Sequence, residues 1–129
     1  MQILRQWFST LSMLVIAVAL CLIAYQHSRG SAPELSTPYQ AVALTNGQVF
    51  FGRIEGLGTD YPVLRDVFYI QTRQNPDTKQ VANVLIKRGG EAHGPDRMIL
   101  NRQHVVFIEP IKDDSQIATL IAEQKKQIN

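Results

Sequence analysis

The chain opens with a run of nineteen residues without a single charge, Trp7–Tyr25. As an α-helix this run would extend about 28 Å, close to the ~30 Å hydrocarbon core of a lipid bilayer. Trp7 and Tyr25 stand at its two ends, where amphipathic aromatic rings favour the headgroup level of a membrane. The hydroxyls of Thr10 and Ser12 can bond back to helix carbonyls, so they do not prevent burial in lipid. The run therefore predicts a transmembrane helix that anchors the rest of the chain.

Three other interpretations of this run stay open. A cleaved secretory signal would use Arg5 as its basic N-terminal charge and residues 17–19, Ala-Val-Ala, as its cleavage site. That site lies inside the run, so cleavage would leave an apolar mature terminus. A lipoprotein signal would use Cys21, although Leu20 stands where a small residue is normally required. A buried core helix is the third alternative, and we favour an uncleaved signal-anchor over all three.

The charges that flank the run predict its orientation. Arg5 and the α-amino group precede it, whereas His27, Arg29 and Glu34 follow it. Positive-inside asymmetry favours a cytoplasmic N-terminus and an exported C-terminal domain, and the short N-terminal tail favours the same arrangement. Gln26–Pro38 is a linker by composition, because its prolines prevent regular strand pairing and its small polar residues keep it hydrated. We therefore expect the C-terminal domain to stay near the membrane surface.

The rest of the sequence suffices for one small domain, since about ninety residues can form one hydrophobic core but not two. Tyr39–Asn129 contains eleven Lys and Arg against ten Asp and Glu. Nucleic-acid binders usually concentrate positive charge, so this balance argues against a nucleic-acid partner. Cys21 is the only cysteine, which excludes an intramolecular disulfide. The predicted segments are the tail and span 1–25, the linker 26–38, the β domain 39–112 and a C-terminal helix 113–129.

Alternating apolar residues and turn signals predict that this domain is mainly β. Asn46-Gly47 is a hairpin signal, because both residues tolerate the positive φ of a type I′ turn. Gly52 interrupts the second strand, where a glycine commonly marks a bulge or a sharp bend. Residues 113–115 can cap a short amphipathic helix after the last strand. The predicted strands are Tyr39–Leu44, Gln48–Glu55, Tyr61–Gln71, Val81–Lys87, Arg97–Asn101 and Val105–Glu109.

Three segments of the domain resemble the Sm-like small β-barrel family. LTNGQVFFGRIEGLGTD (44–60) resembles its opening strand, Asn-Gly turn and aromatic-x-Gly-x-aliphatic strand, and VLRDV (63–67) resembles its third strand. MILNRQHVVFI (98–108) resembles its second motif, a strand, a tight polar turn and a closing strand. An inserted strand and loop, 68–96, separates these motifs. The resemblance implies a small, strongly bent SH3/Sm-like β-barrel between an N-terminal transmembrane helix and a short C-terminal helix.

The resemblance does not carry RNA binding with it. RNA-binding members have Arg-Gly at the turn of the second motif, where this chain has Asn101 and Arg102. They have Met-Asn before the third strand, where this chain has Tyr61 and Pro62. The whole chain also looks similar to short bacterial membrane proteins with YQA-x-x-LTNGQV and HGP-x-x-MI-x-NR elements. That likeness implies a single-pass protein of the bacterial cytoplasmic (inner) membrane and brings no activity.

No residue pattern predicts catalysis or a cofactor. His93, Asp96 and His104 match no metal-ligand spacing, and a structural metal site needs about four ligands. Ser115 is the only serine after the linker, and its position suits a helix cap rather than a nucleophile. Nucleophile elbows and phosphate-binding glycine loops are missing from the sequence. We therefore expect a non-enzymatic protein that holds no cofactor and no metal.

Two kinds of side chain are candidates for an interaction surface. Strand alternation cannot bury every residue of VFYI (67–70) on one side, so some tyrosine rings should be exposed. The basic residues either cluster on folding and contact lipid headgroups or an acidic partner, or stay dispersed and solvated. The candidate surface comprises Tyr61, Tyr69, Lys87, Arg88, Arg97, Arg102 and His104.

The predicted anchor, the predicted barrel and the missing catalytic set together suggest a membrane-anchored interaction module of the bacterial cell envelope. Its expected partners are the lipid bilayer and either a membrane or envelope protein or further copies of itself as a homo-oligomer. One alternative is an Sm-like nucleic-acid binder on the cytoplasmic face. Another is an accessory subunit of a membrane transport or channel complex, which rests on analogy of fold alone.

Overall fold

The computed structural model of the protein describes residues 1–28 and 32–128. Part of the predicted linker, residues 29–31, lies outside the described residues, and with it the flanking charge of Arg29. Asn129, the last residue of the predicted C-terminal segment, also lies outside them. The chain divides into an N-terminal helical unit and a C-terminal unit built on a β-sheet.

The N-terminal unit, residues 1–32, is built on helix α1, Gln2–Ser28. Its 27 residues give α1 a length of about 40 Å, enough to cross a bilayer. The hydroxyls of Thr10 and Ser12 bond back to helix carbonyls at 2.9–3.1 Å, as predicted. None of the helix residues is buried. Among the described helices, α1 alone is long and apolar enough to span a membrane, a property that signal sequences share.

The C-terminal unit, residues 33–129, contains an antiparallel sheet of six strands and one helix. The strands lie in the order β4-β3-β2-β1-β6, and β5 pairs with the first residues of β3. The predicted combination of an N-terminal helix, a mainly β domain and a C-terminal helix is therefore confirmed. The elements are β1 Gln40–Leu44, β2 Val49–Glu55, β3 Val63–Gln74, β4 Val81–Lys87, β5 Arg97–Ile99, β6 Val105–Pro110 and α2 Gln116–Ile128.

Asn46-Gly47 closes the β1–β2 hairpin, but the predicted type I′ turn is wrong. A type I′ turn needs a positive φ at both residues, and of these two only Gly47 has one, at +82°. The Gly47 N–H donates to the Leu44 carbonyl at 2.9 Å, and the Leu44 N–H donates to the Gln48 carbonyl at 2.9 Å. This is a three-residue connection in which a turn is followed by a left-handed glycine. Asn46 contributes through its side chain, whose Oδ1 accepts the Gln48 N–H at 3.0 Å.

The β2–β3 ladder contains a bulge at Gly52, which faces two residues of β3, Asp66 and Val67. Asp66 adopts a left-handed φ of +52°, a conformation that costs most residues about 1–2 kcal/mol and that aspartate tolerates better than most. A Cβ atom at Gly52 would lie 2.7 Å from the Arg65 carbonyl oxygen and 2.9 Å from Leu64 Cγ. Only glycine allows the two strands to approach this closely, so the predicted role of Gly52 is confirmed.

Apolar side chains pack on both faces of the sheet, because neighbouring residues of a strand point to opposite faces. Phe50 and Phe51 accordingly enter two separate clusters. Helix α2 covers the second cluster through Ile121, with Ile117 and Leu120 packed beside it. The first cluster comprises Val42, Phe50, Ile54, Leu64, Val67 and Leu100, and the second comprises Phe51, Phe68, Leu85, Ile111 and Ile121.

A short connection joins strands that lie far apart in the sheet order. β5 pairs with β3 and β6 pairs with β1, and only residues 100–104 separate β5 from β6 in the chain. This connection contains a 3-10 turn, Arg102–His104. The Asn101 side chain caps the turn by accepting the Gln103 N–H at 3.0 Å. The ladder of the described strands is not closed into a barrel.

Replacing Gly52 by alanine is expected to destabilise the C-terminal unit by about 1–3 kcal/mol, the usual cost of forcing atoms into a packed position. The new methyl group would meet the Arg65 carbonyl oxygen, a backbone atom that cannot rotate away. Urea unfolding of the full-length protein in detergent, followed by circular dichroism of the sheet, measures the effect. Gly90→Ala is the matched control, because a Cβ there meets nothing within 4 Å. Equal unfolding midpoints for the two variants would contradict the close approach at Gly52.

Candidate functional site

A cleft of about 660 Å³ opens in the C-terminal unit where β2, β3 and β5 meet the loop after β4 and the last turns of α2. Six of its lining residues are cationic and two are acidic, which makes it a concave surface of net positive charge. The cationic residues are Arg53, Arg65, Lys87, Arg88, Arg97 and Lys125, and the acidic residues are Asp66 and Asp96.

Three of these arginines stand side by side on neighbouring strands. Arg53 on β2 lies opposite Arg65 on β3, and Arg65 lies opposite Arg97 on β5. Residues directly opposite one another in antiparallel strands project from the same face with Cβ atoms about 5 Å apart, and like charges in this position repel. We call Arg53, Arg65 and Arg97 the arginine row.

Carboxylates partly balance the arginine row. Arg65 Nε lies 2.9 Å from Glu55, and Arg97 Nη2 lies 2.8 Å from Asp96. Arg53 forms no ion pair with any residue that the structure describes. The two pairs are solvent-exposed and contribute little to stability. A competing anion can therefore displace these carboxylates at small cost.

Asp66 forms ion pairs with both lysines of the cleft. Its carboxylate lies 2.6 Å from Lys125 Nζ and 3.3 Å from Lys87 Nζ, and it accepts a hydrogen bond from the Tyr39 hydroxyl. Only 12% of the Asp66 side chain is exposed. Lys125 Nζ also donates to the Tyr39 hydroxyl oxygen and lies 5.0 Å from the centre of its ring. Asp66 thus ties α2, β4 and the segment before β1 together at one point.

The same contacts set the ionisation of this cluster. Burial opposes charge on Asp66, but hydrogen bonds from Lys125 and Tyr39 outweigh burial and lower the pKa of Asp66 below its usual value. Hydrogen bonds to Asp66 and Tyr39 raise the pKa of Lys125. Burial and the hydrogen bond to Asp66 raise the pKa of Tyr39. Asp66 and Lys125 are therefore charged, and Tyr39 neutral, throughout the physiological pH range.

The loop after β4 fixes Arg88 at the wall of the cleft. Arg88 Nε donates to one Glu91 carboxylate oxygen at 2.9 Å, and the Gly89 N–H donates to the other at 2.7 Å. The bond from Gly89, together with Arg88, lowers the pKa of Glu91 to about 2. The Arg88 guanidinium also lies 5.9 Å from the centre of the Phe50 ring. Glu91 is thus an anion throughout the physiological pH range, and it orients Arg88.

The structure brings three of the seven predicted interaction residues into the cleft, namely Lys87, Arg88 and Arg97. Tyr61 is 66% exposed in the loop before β3. Tyr69 is partly buried, and its ring packs edge-on against Phe50 with the ring centres 6.3 Å apart. The other four predicted residues do not line the cleft; they are Tyr61, Tyr69, Arg102 and His104.

Arg102 and His104 belong to the 3-10 turn between β5 and β6. The Arg102 N–H donates to the Asp60 carbonyl at 3.0 Å, and His104 Nδ1 lies 3.3 Å from Thr45 Oγ1. Within residues 1–28 and 32–128, no three His, Cys, Asp or Glu side chains come together as a metal-binding group. His93 is an exposed loop residue.

Besides the loop residue Asp96, four charged residues of the cleft were not predicted as part of a surface, namely Arg53, Arg65, Asp66 and Lys125. Their positions on a strand or a helix could be predicted. Whether their side chains come together depends on the register of three strands. A one-residue change of register moves every side chain to the other face. The bulge opposite Gly52 makes such a change in the middle of β3.

A second candidate surface lies along β6, the last strand in the sheet order. β6 pairs with β1 on one side, and no described strand pairs with its other side. A groove of about 380 Å³ is lined by residues 33–36, Leu57 and residues of β6. Val106 is 60% exposed and Phe107 is 47% exposed. We call this groove the β6 groove, and an open apolar edge of this kind can accept an added strand.

Neither a protein-family model nor a curated protein matches this chain. The Sm-like resemblance therefore stays a prediction that rests on three sequence motifs. The cleft and the β6 groove are the features of the described residues that bear most directly on function.

Asp66→Asn is expected to remove an acid-sensitive part of the stability of the C-terminal unit. Contacts in the fold lower the pKa of Asp66 from its ordinary 3.8. Its contribution is therefore complete above that value and is lost as the pH falls through the lower pKa of the folded state. Thermal melting of the full-length protein in detergent, from neutral to acid pH, should show a smaller acid-induced loss of stability in the variant.

Asp77→Asn is the control for this experiment, because Asp77 is exposed in the β3–β4 turn and forms no described ion pair. Its acid profile should follow that of the wild type. If Asp66→Asn also lost stability in parallel with the wild type, the ion pairs of Asp66 would not stabilise the fold.

Proposed function

We propose that this chain is a membrane-anchored, non-enzymatic interaction module that binds a partner protein of the cell envelope. The observation that carries the proposal is the β6 groove together with the adjoining strand, β6, whose outer side pairs with no described strand and which has exposed apolar side chains. An exposed apolar strand edge of this kind is a liability for a protein without a partner. A partner strand turns that liability into a binding site.

The chemistry of the β6 groove suits an extended segment of the partner. An end strand presents N–H and C=O groups that an added strand can pair with, and these backbone bonds supply affinity without regard to sequence. Val106 and Phe107 on β6, with Leu35 and Leu57 across the groove, offer apolar contacts that supply specificity. The partner segment is therefore a short β-strand with apolar residues on the face that meets Phe107.

We propose that the module lies at the bacterial cytoplasmic membrane, with α1 as an uncleaved anchor, the N-terminus in the cytoplasm and the sheet exported. The length of α1 and its uncovered apolar surface support the anchor. The charge of Arg5 before the run supports the orientation. A chain of the composition of residues 29–38, which follow α1, reaches on the order of tens of ångströms at most, and this limits how far the partner site can lie from the anchor.

A curled, Sm-like barrel is part of the same proposal. Its support is the connection between β5 and β6, in which only residues 100–104 join strands paired at distant positions of the sheet. The Arg102 N–H donates to the Asp60 carbonyl at 3.0 Å, and the Thr45 N–H donates to the His104 carbonyl at 2.9 Å. The connection is thus fastened to the loops before β3 and after β1, as a strongly curled sheet requires.

A photo-crosslinking amino acid at Val106 is expected to capture one identifiable envelope protein in native membranes, because Val106 is exposed beside the groove. Phe107→Lys should reduce the yield of this adduct about tenfold, since loss of a central apolar contact typically costs that much affinity. Val81→Lys is the matched control, because Val81 is 64% exposed on β4, at the opposite end of the sheet order. Mass spectrometry of the adducts identifies the partner.

Two outcomes of this experiment would contradict the proposal in different ways. Equal loss of the adduct with Phe107→Lys and Val81→Lys would exclude the β6 groove as the docking site. An adduct that contains only this chain would show that the partner is a second copy of the chain and not another envelope protein.

Fusions placed after Asn129 test the orientation. With the sheet exported, an alkaline phosphatase fusion should be active and a green fluorescent protein fusion should be dark, because each reporter matures on one side of the membrane only. N-terminal sequencing of the same fusions should find an uncleaved chain that still contains Trp7–Tyr25. An inactive alkaline phosphatase fusion and a fluorescent green fluorescent protein fusion would instead place the domain in the cytoplasm. That result would favour the alternative of an Sm-like nucleic-acid binder.

A further inference from the structure

We infer that the cleft binds a phosphate group, carried by a small organic molecule or by a lipid headgroup, with the arginine row as its main contact. The cleft and the β6 groove share no lining residue. The inference is therefore independent of the proposed protein partner, and each can fail without the other.

Repulsion within the arginine row is the first argument. Arg53, Arg65 and Arg97 occupy directly opposite positions on three neighbouring strands, and like charges in that arrangement destabilise a sheet. An anion bound among the three guanidinium groups would remove the repulsion and convert the cost into binding energy.

The free donors of the cleft are the second argument. Arg65 engages Glu55 through Nε, and Arg88 engages Glu91 through Nε. These bonds leave the terminal nitrogens of both guanidinium groups for another acceptor, and Arg53 has no ion pair among the described residues. Guanidinium forks match the oxygens of a phosphate group in bidentate geometry. The cleft thus offers one ligand several guanidinium groups, each of which can donate two hydrogen bonds.

The division of charge within the cleft is the third argument. Asp66 pairs with both Lys87 and Lys125, at 3.3 and 2.6 Å, so one positive charge of the two lysines remains beside the charge of the arginines. A phosphate monoester carries up to two negative charges and three acceptor oxygens. A single carboxylate carries one charge and two oxygens, and it would satisfy fewer of the forks.

The size of the cleft indicates that the phosphate is attached to an organic group. A volume of about 660 Å³ lies within the range of about 300–1,000 Å³ that is usual for small-molecule sites. Val67, Met98 and Ile128 supply an apolar part of the wall. A phosphorylated metabolite and an anionic lipid headgroup present the same chemistry to this site.

Thermal melting of the full-length protein in uncharged detergent tests the inference. The probes are inorganic phosphate and glycerol 1-phosphate, each compared with sodium chloride at the same ionic strength, because screening alone changes surface electrostatics. A ligand that binds only the folded state raises Tm progressively with its concentration. We expect glycerol 1-phosphate to raise Tm above the chloride control.

Arg53→Gln is the diagnostic variant. It removes one fork and also relieves repulsion, so the ligand-free Tm should stay equal or rise while the affinity for glycerol 1-phosphate falls about tenfold. Arg73→Gln is the matched control, because Arg73 is exposed on β3 and does not line the cleft. An unchanged response to glycerol 1-phosphate in Arg53→Gln would overturn the inference.

Reconstitution into vesicles distinguishes the two sources of phosphate. The full-length protein is placed in vesicles of phosphatidylcholine alone or with phosphatidylglycerol, and hydrogen exchange of the β3 and β5 amides is measured. Protection that requires phosphatidylglycerol and exceeds that from glycerol 1-phosphate assigns the site to a lipid headgroup. Protection by glycerol 1-phosphate alone assigns it to a soluble ligand. No response to phosphate, glycerol 1-phosphate or phosphatidylglycerol would overturn the inference.

Discussion

The bulge in β3 is the constraint on which the arrangement of the C-terminal unit depends. Gly52 permits it because no side chain separates β2 from the backbone of Arg65, and Asp66 accepts the left-handed conformation that it requires. At this point the outer edge of β3 changes partner, since residues 63–65 pair with β5 and residues 68–74 pair with β4. One long strand therefore supports three neighbours, and the cleft opens where β4 and β5 diverge.

The same bulge sorts the charges around the cleft into two groups. Asp66, at the bulge, gathers Lys87 from β4 and Lys125 from α2, and these ion pairs hold the helix against the sheet. The arginine row lies just before the bulge, in regular register, where no comparably buried carboxylate is described. The arginine of β3 that belongs to the row and the aspartate that pairs with the two lysines are thus consecutive residues, Arg65 and Asp66.

Sequence patterns predicted the local elements of this fold better than they predicted which side chains of different elements come into contact. The uncharged run, the mid-strand Gly52 and the Asn46-Gly47 hairpin each have a local physical cause that a pattern can show. The turn type was wrong because Asn46 uses its side chain rather than a positive φ. The arginine row was not predicted, because a balanced charge count says nothing about register. Asp66 was predicted only as a position of the Sm-like third strand, VLRDV, and its ion pairs were not predicted because they depend on its backbone conformation.

Anchor, cleft and β6 groove occupy separate parts of the chain, so a partner at the groove and an anion in the cleft need not compete.

The cleft depends most directly on the conformation of Asp66. Three-bond scalar couplings and Cα chemical shifts, measured by NMR on labelled full-length protein in detergent micelles, report its φ. We predict a left-handed value near +52°. A negative φ typical of an extended strand, with β3 in unbroken register opposite Gly52, would contradict the bulge and the cleft built on it.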